Sequence, residues 1–180
     1  MIDWEGILSR DGPAVWRTAW RVLGNRADAD ECFQETFVAA LEYSRTHAVE
    51  HWRALLQRIA TTRAIDRLRR RISQQHREAV LPDDHPSPSR LPGEQLEDAE
   101  LSATLRRALA RLPAKQAEVF CLFHIEGWSY REIAECLSIS TDVVGMWLHR
   151  AKRRLRELLS TTTTTTTTTV NPTLEEVSHE

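Results

Sequence analysis

The stretch 127–159, GWSYREIAECLSISTDVVGMWLHRAKRRLRELL, leaves a chain few ways to fold. Ser129 is a good helix N-cap, and Glu132 stands three residues on, so the two can form a reciprocal capping box. Ile133, Ala134 and Leu137 then recur at helical spacing. The residues at 137–140, LSIS, are long enough only for a turn. Its left-handed position falls on Ser138 where Gly is usual, at a cost on the order of 1 kcal/mol. Ser140 can cap a second helix, and Asp142 suits the positive end of that helix's dipole. Val143, Val144, Trp147, Leu148, Ala151 and Leu155 continue an apolar face, while His149, Arg150, Lys152, Arg153, Arg154 and Arg156 supply the polar positions. A short helix, a short turn and a basic second helix make a helix-turn-helix, whose second helix can enter the major groove. The competing reading is an ordinary helical hairpin with a solvated basic face.

Within the second helix the residue types divide by face. Ser140, Thr141 and Asp142 lie at the N-terminal end that meets base edges in this motif. Met146, His149, Arg150 and Arg153 can lie away from Leu148 and Leu155. Arg150 is the strongest base-reading candidate, because a guanidinium can take a guanine bidentately. Trp147, beside Val143 and Val144, is expected to pack into the domain.

Charge is unevenly spread along the 180 residues, whose formal net charge is −2. Residues 1–77 carry 13 Lys/Arg against 10 Asp/Glu, and residues 101–160 carry 10 against 6. Residues 78–100 carry 1 against 7, and residues 161–180 carry 0 against 3. Two basic segments are thus separated by an acidic one, and local charge is what meets a phosphate. Cys32, Cys121 and Cys136 form no CxxC pair, so a zinc site is not expected, nor any cofactor. Three widely spaced cysteines favour reduced thiols in a cytoplasm. No apolar run approaches the roughly 20 residues of a membrane span, and the first residues lack a signal-peptide core.

Strand signals are nearly absent, so the expected fold class is all-α. Helical spacing runs from Trp4 to Leu23, with Gly12-Pro13 read as a break and Pro13 as a helix start. Residues 28–43 form the next helix, with an acidic first turn and Phe33, Phe37, Ala40 and Leu41 facing a core. A polar loop, 44–50, precedes a long helix carrying Trp52, Leu55, Leu56, Ile59, Ile65, Leu68 and Ile72 as its apolar stripe. Between Arg53 and Arg77 there are eight arginines and one acid, Asp66. Arg63, Arg67 and Arg70 are expected on one exposed face; arginine without lysine favours contact with phosphate or base edges over mere solvation. Four prolines between 80 and 93 mark a flexible linker. Helices follow at 101–111, stopped by Pro113, and at 114–125. The threonine run 161–169 opens a segment read as a disordered tail. The expected organisation is two small helical domains, 1–77 and 101–160, joined by an acidic linker, 78–100, and followed by a tail, 161–180.

Three phrases in this order resemble one family: DADECFQETFVAAL, LLQRIATTRAIDRLRRR and LARLPAKQAEVFCLFHIEGWSYREIAECLSIS. The chain is similar to sigma factors of bacterial RNA polymerase, of the extracytoplasmic-function (ECF) group, over about 10–76 and 101–159. The resemblance implies a promoter-specificity subunit without catalytic residues. Its implied partners are core RNA polymerase and promoter DNA, with room for an anti-sigma factor. Asp30, Gln34 and Glu35 match the polymerase-binding helix. Trp52, Arg58, Arg63, Arg67 and Arg70 match the part that reads and opens the minus-10 element. Ser140, Thr141, Asp142, Gly145, Met146, His149, Arg150 and Arg153 match the minus-35 recognition helix. Two positions depart from the family pattern: Leu55 stands where Trp is frequent, with Trp52 three residues earlier, and Gly145 stands where Lys or Arg is common. A free-standing helix-turn-helix regulator is the other reading, though it would have no use for the phrase DADECFQETF. An enzyme is not expected, since His47, His51 and Cys32 are scattered and no Gly-rich phosphate loop is present.

Overall fold

The computed structural model describes residues 2–80 and 96–166, with side chains over 2–77 and 103–160. Every described element is helical: α1 Trp4–Leu23, α2 Arg26–Ser44, α3 Trp52–Val80, α4 Leu96–Ala110, α5 Ala114–His124, α6 Tyr130–Leu137 and α7 Thr141–Thr166. The all-α expectation therefore holds. The linker core, 81–95, and the chain beyond Thr166 lie outside the described residues. α7 itself runs through the first six threonines of the 161–169 run.

α1 starts where the Asp3 side chain accepts from the Gly6 amide at 2.9 Å. It then continues straight through Pro13, against the expected break. The reason is which side Pro13 faces. Pro13 and Ser9, whose carbonyl loses its partner, are both exposed, so water takes the freed acceptor. The opposite face buries Ile7, Val15, Ala19, Val22 and Leu23 on both sides of the proline, which holds one continuous helix. Gly24 ends α1 in the left-handed conformation at φ 61°, and its amide donates to Trp20 O at 2.8 Å. A side chain there would also collide with the Arg106 guanidinium.

α1, α2 and α3 pack mutually around Ile7, Val15, Ala40, Leu56 and Ala60, with Phe33 and Phe37 partly buried beside them. Leu41, expected in this core, is 38% exposed: it has turned past the α1–α2 seam on a helix whose apolar positions spread around its circumference. A second core, Val119, Leu122, Ile133, Ala134, Val144 and Leu148, joins α5, α6 and α7. The largest core belongs to both halves. It contains Ala19, Val22 and Leu23 of α1, Ile65 and Leu68 of α3, Leu109 of α4, Leu112, Cys121 of α5 and Leu155 of α7. Burying a Leu, Ile or Val side chain stabilises by about 1.5–3 kcal/mol each, so the two helical units close on one another through apolar surface. The relative placement of the halves was not legible from the sequence.

Candidate nucleic-acid interface

The helix-turn-helix forms as its caps require. Ser129 Oγ accepts from the Glu132 amide at 3.2 Å, and Glu132 accepts from the Ser129 amide at 2.7 Å. The Ser129 hydroxyl also donates to the Glu132 carboxylate, at 2.7 Å, and that bond first and the Ser129 amide second hold the carboxyl below its ordinary value. α6 ends on Ser138 at φ 54°, ψ 47°. The Ile139 amide donates to Ala134 O at 3.0 Å and the Ser138 amide to Glu135 O at 3.3 Å, the paired bonds of a Schellman ending. Ser140 then caps α7, its Oγ accepting from the Val143 amide at 3.3 Å.

α7 buries Val144, Leu148, Ala151 and Leu155, and Trp147 packs half-buried against the second core. Ser140, Thr141, Asp142, Met146, His149, Arg150 and Arg153 are exposed. Of the eight recognition candidates only Gly145 is half-buried. A Cβ on it would sit 3.5 Å from Tyr130 Cε2, an ordinary contact, so nothing in the packing demands glycine there.

On α3 the arginines do not share one open face, and the expected exposed stripe of Arg63, Arg67 and Arg70 is corrected. Arg67 is 18% exposed and lies against α2, donating to Glu31 at 2.6 Å and Glu35 at 2.8 Å, with Asp28 at 4.0 Å. Its buried Nε finds no acceptor among the described residues. Arg63 stands 3.7 Å from Glu35. The cause lies on the facing helix: Asp28, Glu31 and Glu35 recur at i, i+3 and i+7 and present acids to the same side of α3. The Glu31 carboxyl is held below its ordinary value, first by the Arg67 hydrogen bond and then by its charge. Arg70 alone of the three is exposed and pairs with no described residue.

Trp52 begins α3 half-buried, edge-on to Trp4 with ring centroids 4.9 Å apart, within the α1–α2–α3 core. Arg58 is engaged by the other half of the molecule. Its Nε faces Glu118 of α5 at 3.4 Å, and a terminal nitrogen donates to Cys136 O, near the end of α6, at 3.0 Å. Asp30 and Gln34 are exposed on α2, and Asp30 accepts from Trp16 Nε1 at 2.7 Å. Glu35, half-exposed, faces α3 through the Arg67 bond.

Residues that sequence reasoning did not single out hold the halves together. Arg69 of α3 donates to Ala110 O at 3.2 Å and Leu112 O at 2.7 Å. Arg106 of α4 donates to Val22 O at 3.0 Å, and Arg21 of α1 to Ile125 O at 2.9 Å. Gln57 donates to Glu126 at 2.8 Å. Burial, and then the nearby Arg71 charge, pull the Arg106 guanidinium below its ordinary value. The one sequence hint was Glu118, an isolated acid inside the apolar run AEVFCLF, and it is 4% exposed. Between the halves runs an open groove of about 910 Å³, lined in part by Tyr43, His51, Arg58, Trp128, Glu132 and Cys136.

Comparison with known proteins matches these two halves separately. The family described as Sigma-70 region 2 covers residues 7–73, and that described as Sigma-70, region 4 covers 102–155. The ECF RNA polymerase sigma factor SigL of Mycobacterium tuberculosis is 32% identical over 159 residues, spanning 84% of this chain and 86% of its own. The chain belongs to the ECF RNA polymerase sigma factors. SigE of Mycolicibacterium smegmatis is 31% identical over 163 residues, and this sigma factor spans 63% of that relative's length. SigW of Bacillus subtilis is 28% identical over 157 residues, 81% of this sigma factor and 82% of the relative. Among solved structures, CnrH in complex with the cytosolic domain of CnrY aligns at TM-score 0.54 and 26% identity, covering 87% of each chain. The sigma factor RpoE with the anti-sigma factor NepR from Bartonella quintana aligns at TM-score 0.52 over 88% of this sigma factor and 97% of that chain; at 23% identity it shows the fold. Among the described residues no helix is long and apolar enough to cross a membrane.

Proposed function

We propose that this sigma factor binds bacterial core RNA polymerase in the cytoplasm, directs it to promoters, and takes no catalytic part in RNA synthesis. The observation that carries the reading is the pairing, on one chain and in order, of the region 2 and region 4 matches with an α7 whose base-reading positions face outward. In this reading Asp30 and Gln34, exposed on α2, meet the polymerase, and Glu35 completes that surface while holding Arg67. Arg70, which pairs with no described residue, supplies a cation to the minus-10 region. Arg63 and Arg67 bear on it indirectly, by holding α2 through Glu31 and Glu35. Trp52 and Arg58 are the other two residues that this reading assigns to the minus-10 element. Ser140, Thr141, Asp142, Met146, His149, Arg150 and Arg153 read the minus-35 duplex, with Arg150 contributing base discrimination of about 1–3 kcal/mol. Gly145 allows close approach of the helix to the groove. An anti-sigma factor is a further proposed partner, in line with the complexes of CnrH and RpoE.

The test is to mix the chain with bacterial core polymerase, ask whether the two co-purify, and ask whether the mixture starts transcription at discrete sites on genomic DNA. Asp30→Asn with Gln34→Ala should weaken co-purification without a large change in helicity. A chain that binds promoter duplex but never joins polymerase would instead be a free-standing regulator.

A further inference from the structure

We propose, on the sigma reading above, that Met146 and Tyr130 form an apolar reading surface for a thymine methyl group in the minus-35 duplex, and that Gly145 is the gap through which that methyl enters.

Among its described residues the helix-turn-helix leaves two large apolar side chains exposed, Tyr130 and Met146, each at 40%. They flank Gly145. Met146 follows it in the chain, and a Cβ on Gly145 would sit 3.5 Å from Tyr130 Cε2. The Tyr130 ring therefore lies beside bare backbone at 145. The ring is held from behind: Phe123 meets it at 72° with centroids 5.4 Å apart, a favoured edge-to-face arrangement. The neighbouring cations are turned elsewhere. Lys152 Nζ lies over the Phe123 ring, 5.7 Å from its centroid, and Arg131 pairs with Glu135 at 2.8 Å. The surface from the Tyr130 ring across Gly145 to Met146 thus carries no charge.

The place of this surface on α7 determines what covers it. Asp142, Met146 and Arg150 follow one another at i, i+4 and i+8, so Met146 sits between two polar readers on one face. All three are exposed. A partner that reaches both Asp142 and Arg150 must also cover Met146, and that partner is the major groove. Base edges there present donors, acceptors and one apolar group, the C5-methyl of thymine. Adenine, guanine and cytosine carry no methyl, so their polar edges would lose water against this surface and gain no hydrogen bond in return. Gly145 has a reason in these terms. A glycine inside a helix lowers its stability relative to alanine, and no neighbour demands the space. Bare backbone lets a methyl lie against Tyr130 and Met146, where a lysine or arginine would fill the gap and add a charge.

The experiment removes the methyl from the DNA and its contact from the protein. Minus-35 sequences are first selected from a randomised promoter library with polymerase holoenzyme. Each thymine of the selected element is then replaced in turn by deoxyuridine, which lacks only the methyl. Replacement at one position should weaken holoenzyme binding by about fourfold, the loss expected for one buried methyl. At that position 5-methylcytosine should bind better than cytosine. In holoenzyme carrying Met146→Ala, or Met146→Gln, which keeps the length but ends in an amide, thymine and deoxyuridine should bind alike; thermal melts check that both variants fold. Selection of no thymine, equal binding of thymine and deoxyuridine throughout the element, or an undiminished difference in either variant would overturn the thymine assignment and leave the sigma reading standing. A wild-type chain that forms no holoenzyme, or a holoenzyme without sequence preference at minus-35, would overturn the sigma reading and this assignment with it.

Discussion

Arg67→Ala separates an arginine that organises the fold from one that meets DNA. The side chain is 18% exposed and holds Glu31 at 2.6 Å and Glu35 at 2.8 Å. A hydrogen bond between charged groups contributes about 1.5–3 kcal/mol when sheltered. Glu35 is 37% exposed, so water replaces much of its bond on truncation, leaving about 1 kcal/mol. The covered aliphatic stem adds about 0.5–1 kcal/mol through lost packing, for a total of about 1.5–2 kcal/mol. At about 2–4 °C per kcal/mol for a chain of this size, the thermal midpoint should fall by roughly 3–8 °C. The exposed Glu31 reports the same contact through its titration. Its carboxyl is held low in the folded chain, so the pairing is fully present above the ordinary glutamate value of about 4.5 and is lost as pH falls through the depressed one. In Arg67→Ala the Glu31 titration, followed by carboxyl NMR, should move up toward the ordinary value. Arg70→Ala should do the opposite of all this: leave the melt unchanged and lower the salt slope of promoter binding by about one. An Arg67→Ala protein that melts like wild type, leaves Glu31 unmoved and loses one unit of salt slope would show that the side chain faces DNA.

Arg150→Ala should keep the melt within about 0.5 kcal/mol of wild type and relax sequence preference in the minus-35 region, read by binding of polymerase holoenzyme to a promoter library. Trp147→Ala should lower stability by about 2–4 kcal/mol, below the full cost of a buried Trp because it is half-buried; thermal melts decide. Ser138→Gly should stabilise by about 0.5–1 kcal/mol, since φ 54° is strained for serine and easy for glycine, provided that urea denaturation shows a raised midpoint at unchanged slope. Burial pushes the Cys32 thiol up to about 11 and the Cys121 thiol up to about 12, so a maleimide at neutral pH should label the half-buried Cys136 first and the other two only on unfolding.

Local chemistry carried well from sequence to structure wherever one element contained its own answer. The Ser129–Glu132 box, the left-handed Ser138, the Ser140 cap and the outward set on α7 all follow from residues within a turn or two of each other. Spacing failed where the answer lay on a facing helix. That Arg63, Arg67 and Arg70 share a side of α3 is a property of α3; that this side looks at Asp28, Glu31 and Glu35 is a property of how α2 packs. Pro13 misled for a related reason: the rule that proline breaks a helix holds for a bond that must be kept dry, and here the lost bond is wet. The contacts between the halves left Glu118 as their one hint, because most of their acceptors are backbone atoms and leave no trace in residue type.

That last property makes the seam genetically lopsided. Val22, Ala110, Leu112, Ile125 and Cys136 receive the arginines through carbonyls that any residue type would supply. Side-chain substitutions at these five positions can alter packing but cannot delete the acceptor. A screen for variants with a weakened seam should therefore return changes at Arg21, Arg58, Arg69 and Arg106, or prolines that unwind a helix end, and few at the residues they grip. One side of the contact is free to drift in sequence while the other is pinned.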